Sequence, residues 1–255
     1  MEAILYVCHG SRVREASNQA ITFVKKFMEI NRFQGIQEYS FLELSEPSIE
    51  EGFQRCVEQG ATVIHVLPIL LLTAAHAKKD IPEVLNQLVL RYPNVEVKYG
   101  RPIGVHTKMV EIVAEKISSS TIYQRTEEET LVLLVGRGSS DPDVKQDLSK
   151  IASLIKECVP RIDVHDCYLT AAEPSFEDAL EVANNSPYRK ILVIPYLLFT
   201  GILMKSMEKK IKEINQEKKL YELTPYLGYH PYIADILSER IEEMSGNANY
   251  APFNG

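Results

Sequence analysis

The feature that most restricts the fold is that the chain is written twice. The segment Leu42…Glu46-Pro47-Ser48…Glu50 returns as Leu169…Glu173-Pro174-Ser175…Glu177. Without a gap, Ile64, Val66, Pro68, Leu70, Leu71 and Thr73 fall on Ile191, Val193, Pro195, Leu197, Leu198 and Thr200. Near each start, Val7…Gly10-Ser11 falls on Val135…Gly138-Ser139, with the register shifted by one residue. A repeat of this length makes each half a copy of one structural unit.

Hydrophobic spacing gives the contents of that unit. Ala3–Cys8 is a short apolar run of the kind a buried strand carries. Val13–Asn31 places Ala20, Phe23, Val24 and Phe27 at helical spacing. Gln37–Leu44 reads as a second strand. Glu46–Gln59 reads as a helix with Pro47 in its first turn and Gly60 just past its end. Ala61–Leu72, Ala77–Tyr92, Val95–Tyr99 and His106–Ser118 continue as strand, helix, strand and helix. Such alternation predicts an α/β fold of two similar flavodoxin-like lobes, each a four-stranded parallel sheet with helices on both faces. The expected boundaries are 1–118 for the N-terminal lobe, 119–130 for a polar linker, 131–244 for the C-terminal lobe and 245–255 for a frayed tail.

Composition removes several classes of function. The net charge of -7 argues against a general nucleic-acid-binding surface. The four cysteines form no C-x-x-C pair, so neither a structural zinc site nor an iron–sulfur ligand set is indicated, and buried thiols are expected. The longest apolar run, Val66 to Ala75, is too short for a membrane span and contains Pro68. With no basic segment leading into a long apolar run at the N-terminus, a cytoplasmic location without membrane partners is expected.

The repeat serves as an internal control on chemistry. Residues kept in both halves are scaffold, and reactive side chains present in one half only are candidates for function. His9 stands after the first strand, where its counterpart is Arg137. His76 follows the third strand, where its counterpart is Leu203, and the small Ala74 and Ala75 beside it leave room for a bulky planar ligand. Glu43, near the end of the second strand, is matched by Thr170. In the strand order 2-1-3-4 these three residues share one sheet edge, at the carboxyl ends of the strands where ligands bind.

Two imidazoles and a carboxylate suit a borderline divalent cation, and the same groups accept protons near neutral pH. The ordinary alternatives are a loop hydrogen bond for His9, an exposed helix start for His76, and an ion pair with Arg12 or a helix cap for Glu43. His65 lies mid-strand and reads as a satisfied core histidine. His106 and His165 lack partners at ligand spacing, and His230 is structural. Arg12, Arg14, Lys78 and Lys79 flank the two histidines, and with Arg137 they are candidates for holding an acidic substrate. Ser11, Thr73 and Ala74 complete the expected substrate-binding set.

With V-C-H-G-S-R at 7–12, F-L-E-L at 41–44 and L-L-L-T-A-A-H-A-K at 71–79, the chain resembles a class II chelatase. The resemblance is to the two-lobed bacterial sirohydrochlorin ferrochelatases, relatives of the sirohydrochlorin cobaltochelatases. It extends over the second half through V-G-R-G-S-S-D-P-D-V at 135–144 and I-P-Y-L-L-F-T-G at 194–201. It implies a chelatase-like fold and insertion of Fe2+ into sirohydrochlorin, with Co2+ or Ni2+ as alternative metals and no organic cofactor. It also implies His9, His76 and Glu43 as catalytic and metal-binding residues, and a second lobe without the histidine pair. A monomer or weak homo-oligomer is expected.

Two other readings compete. A histidine phosphatase also places H-G after a first strand but needs Arg before the histidine, where this chain has Cys8. The intact trio argues against a carrier of metal or tetrapyrrole without turnover, and a purely structural role would leave the histidines unexplained.

Overall fold

Two sheets, each of four parallel strands, carry the chain, and each is wound in the same order. The computed structural model describes residues 1–31, 33–124, 128–214 and 219–247. The first sheet contains β1 (Glu2–Cys8), β2 (Ile36–Phe41), β3 (Val63–Ile69) and β4 (Glu96–Tyr99), ordered β2-β1-β3-β4. The second contains β5 (Thr130–Gly136), β6 (Ile162–Tyr168), β7 (Lys190–Tyr196) and β8 (Leu220–Leu223), ordered β6-β5-β7-β8.

The helices between strands explain the composition of those strands. In the first half they are α1 (Arg14–Ile30), α2 (Ile49–Glu58), α3 (Ile81–Arg91) and α4 (Thr107–Ser119). The short α5 (Thr121–Gln124) precedes α6 (Pro142–Cys158), α7 (Phe176–Asn185), α8 (Ile202–Glu213) and α9 (Pro231–Glu242). A parallel sheet covered on both faces needs apolar residues at every position of its central strands, not at alternate ones. The central strands β5 and β7 are buried throughout, and β1 and β3 are buried beyond their first residue. On one face Leu5, Val7, Ile64 and Val66 join Phe53 of α2 and Leu85 of α3. On the other, the Tyr6 ring meets Phe27 of α1 edge to face at 5.8 Å. The second sheet repeats the plan with Leu133, Val135, Ile191 and Val193 against Phe176 and Met207.

Several boundaries move from the sequence expectation. The regular second strand stops at Phe41, its hydrogen bonding to the first strand runs on through Glu43, and the chain turns away at Leu44, which has positive φ. Pro47 is not in the first turn of α2. Ser48 is the cap, in a reciprocal pair with Glu51, and Pro47 precedes it after a cis bond. Ser175 and Asp178 do the same for α7, again after a cis proline. The third strand ends at Ile69, and the carbonyls of Leu70 and Leu71 accept from Ile103 and Gly104 instead.

The compact units divide the chain differently from the repeat. One comprises residues 1–104 with the C-terminal region from Ile233, and the other runs from Val105 to Tyr232. The final helix of each sequence copy therefore belongs to the opposite unit. The causes are local to each unit. Arg240 of α9 is almost wholly buried and donates to the carbonyls of Pro102 and Ile103, at 3.1 and 2.9 Å. Helix α4 packs on α6.

The polar 119–130 stretch carries α5, whose Ile122 and Tyr123 are buried and whose first N–H groups are accepted by Glu222. Its residues 125–127 lie outside the described residues. Of the expected tail, Ser245 to Asn247 follow α9 through a kink at Gly246, which has positive φ, and the remainder lies outside the described residues. No described helix is long and apolar enough to cross a membrane.

Candidate active site

Three loops at the carboxyl ends of β2, β1 and β3 bring Glu43, His9 and His76 together. The pairing of β1 with β2 persists beyond both strands. Leu42 donates to the Cys8 carbonyl at 2.8 Å and Glu43 to the His9 carbonyl at 3.1 Å. His9 and Glu43 are thereby fixed as neighbours by backbone. Gly10, at φ +94°, makes this possible, since a Cβ there would stand 1.7 Å from the Glu43 carbonyl oxygen. His76 opens a π-helical turn, His76–Asp80, that runs directly into α3.

The side chains then converge. His9 Nε2 lies 3.6 Å from Glu43 Oε1. The His9 and His76 rings stand perpendicular with centroids 4.7 Å apart. One ligand atom from each of the three residues lies within 4.8 Å of the others, and no other such trio occurs among the described residues. Metal–nitrogen and metal–oxygen bonds of roughly 2.0–2.2 Å put two ligands of one ion about 3–3.5 Å apart, so small side-chain adjustments close the set on a cation. All three side chains are partly exposed, at 20% for His9, 31% for His76 and 45% for Glu43. A large ligand can therefore reach them.

Hydrogen bonds decide which nitrogens are presented. His9 Nδ1 lies 3.1 Å from the Gly10 carbonyl, and His76 Nδ1 lies 2.6 Å from Asp80 Oδ2. Both partners only accept, so in the neutral rings each Nδ1 carries the proton and each Nε2 bears the lone pair. An Nε2 lone pair facing a carboxylate beyond hydrogen-bond distance is an arrangement for receiving a cation or a proton. Cys8, adjacent in sequence, takes no part, because burial pushes its thiol up to about 12.

The remaining expected residues have diverse positions. Ser11 is engaged in its own loop, its hydroxyl accepting from Val13 N and its N–H donating to Ser45 Oγ. Ser45 also bonds Ser17, and this serine group went unselected in the sequence. The Ala74 carbonyl accepts from Ala77 and Lys78, starting the π-helical turn. Thr73 is half-buried, Arg12 and Lys78 are exposed, and Arg137 belongs to the second unit, exposed at the end of β5.

Asp80 was also missed. It stands four residues after His76, and comparison with Met207, its match in the repeat, carries the same signal that selected His76.

His65 is only half satisfied. It is fully buried, with Nε2 3.2 Å from Glu2 Oε2 and no hydrogen-bond partner for Nδ1. Burial holds its pKa below the usual histidine range, against the opposing pull of Glu2. His106 and His230 cap α4 and α9, accepting from Lys108 N and Tyr232 N. Cys56 and Cys167 are buried as expected, whereas Cys158, the last residue of α6, is exposed.

Comparison with known proteins gives the family. The CbiX family profile matches twice, over residues 3–120 and 131–244. A sirohydrochlorin ferrochelatase of Priestia megaterium is 47% identical over 96% of this chain and 91% of its own. A sirohydrochlorin cobaltochelatase of the same organism is 35% identical, over 95% and 80%. Among solved structures, SirB from Bacillus subtilis with Fe3+ superposes with a TM-score of 0.86, at 42% identity and 96% coverage of both chains.

Proposed function

The chain belongs to the CbiX family, and from that membership we propose how it inserts Fe2+ into sirohydrochlorin to form siroheme. The reaction exchanges two pyrrole N–H protons for one divalent ion, so a catalyst needs donors for the ion and bases for the protons. His9 and His76 supply both functions through Nε2. Glu43 completes the ligand set and passes a proton onward. Arg12 and Lys78, with Ser11, Thr73 and the Ala74 backbone, hold the substrate carboxylates.

The observation that carries this reading is the convergence of one ligand atom each from His9, His76 and Glu43, set on three separate loops, within 4.8 Å. The metal is a substrate here, and the mechanism draws on no organic cofactor. Insertion of Co2+ is the second reading, favoured by the cobaltochelatase relative and by a donor set that serves either ion.

The test is anaerobic incubation of the purified chain with sirohydrochlorin and Fe2+, Co2+ or Ni2+ in turn, following the visible absorption of the macrocycle. Conversion well above the no-enzyme rate, fastest with Fe2+, is expected. Fastest conversion with Co2+ would establish the second reading. A bound but unconverted macrocycle would make the chain a carrier.

A further inference from the structure

We propose that Asp80 is a positioning residue for metal capture, holding the His76 ring so that its Nε2 faces His9 and Glu43. This rests on the reading of His76 as a metal-binding residue.

Three observations carry it. The first is the contact itself. Asp80 Oδ2 lies 2.6 Å from His76 Nδ1, a short charge-assisted hydrogen bond that fixes both the tautomer and the rotation of the ring. The second is that Asp80 has no helix-capping use. It lies inside one continuous helical run, in αR conformation between the π-helical turn and α3, and its side chain accepts no N–H of the first turn of α3. The π-helical turn from His76 to Asp80 instead sets the two residues at its two ends.

The third observation is the repeat. The register that matches Thr73 with Thr200 and His76 with Leu203 matches Asp80 with Met207, a buried core residue. The second lobe lacks the imidazole and the carboxylate together, as expected for a pair with one purpose. His9 is oriented differently, by the neutral carbonyl of Gly10. Loss of Asp80 therefore releases one of the two rings and leaves the other in place.

The test uses the purified chain and Co2+ alone, followed by its visible absorption, beside 15N spectra of histidine-labelled protein. Asp80→Ala is expected to weaken Co2+ binding about 10- to 100-fold and to release His76 from the Nδ1–H tautomer. Its KM for sirohydrochlorin should stay at the wild-type level while kcat falls. Asp80→Asn keeps the shape and one acceptor oxygen, so it should retain the tautomer and lose less affinity.

His76→Ala separates this inference from the reading it rests on. If His76→Ala binds Co2+ as tightly as wild type, the metal-site reading fails and takes this inference with it. If His76→Ala loses Co2+ but folded Asp80→Ala keeps wild-type Co2+ affinity, the role of Asp80 is overturned while the metal site stands.

Discussion

At the ends of β1 and β5 the backbone performs the same manoeuvre with different side chains. Leu42 and Glu43 donate to Cys8 and His9, as Leu169 and Thr170 donate to Gly136 and Arg137. Gly10 and Gly138 both sit at positive φ, with carbonyls that would stand 1.7 and 1.8 Å from an added Cβ. Ser11 and Ser139 accept from the N–H two residues on. Where the first lobe places His9, Glu43, His76 and Asp80, the second has Arg137, Thr170, Leu203 and Met207. The difference separates what the loop needs to fold from what the chemistry needs to run.

The largest effect that could break this comparison lies at its acidic member. Glu43→Gln removes a ligand and a proton acceptor, and should cut the insertion rate by about 10²- to 10⁴-fold in a steady-state assay. Thr170→Val, at the matching position, should leave the rate at the wild-type level. An equal loss in both variants would mean that Glu43 acts through the loop alone.

The glycines come next, and here the lobes should agree. Gly10→Ala and Gly138→Ala each force a methyl group into a backbone carbonyl at a φ that disfavours it. Each should therefore cost more than about 1 kcal/mol in denaturant unfolding. Only Gly10→Ala should also weaken Co2+ binding, since it alone displaces Glu43. The helix caps form a smaller matched pair. Ser48→Ala and Ser175→Ala should each cost about 1 kcal/mol, with activity retained. A large difference between them would show that the two capping boxes are not equivalent.

The smallest effect concerns His65, matched by Leu192. Its folded pKa lies below its unfolded value, so the unfolded chain binds more protons between the two. Stability is full above the unfolded histidine pKa, near 6.5, and falls as pH drops from there through the folded value. His65→Leu should flatten that acid slope in unfolding measured against pH. An unchanged slope would assign the acid loss to other groups.

Much of this was legible in the sequence, for identifiable reasons. A parallel sheet buried on both faces leaves continuous apolar runs, so the strands and their order were readable from β1, β3, β5 and β7. The trio was readable because the repeat subtracts the scaffold, leaving His9, Glu43 and His76 as unmatched residues. Asp80 was overlooked because a charge beside Lys78 and Lys79 reads as solvated helix surface. The exit from β2 was overlooked because Leu42 and Leu44 continue an apolar pattern, although the backbone turns at Leu44. The unit boundaries were unreadable from polarity alone, since the burial of α4 and α9 depends on packing partners distant in sequence, such as Pro102 and Ile103 for Arg240.

The central claim is that the first lobe's histidines perform the insertion. Its most direct test is the rate of metal-dependent sirohydrochlorin conversion by a His9→Ala/His76→Ala double variant, with its fold checked by circular dichroism. The account predicts a native spectrum and a rate no higher than that of the metal and macrocycle without enzyme. A folded double variant that converts sirohydrochlorin at the wild-type rate would contradict it.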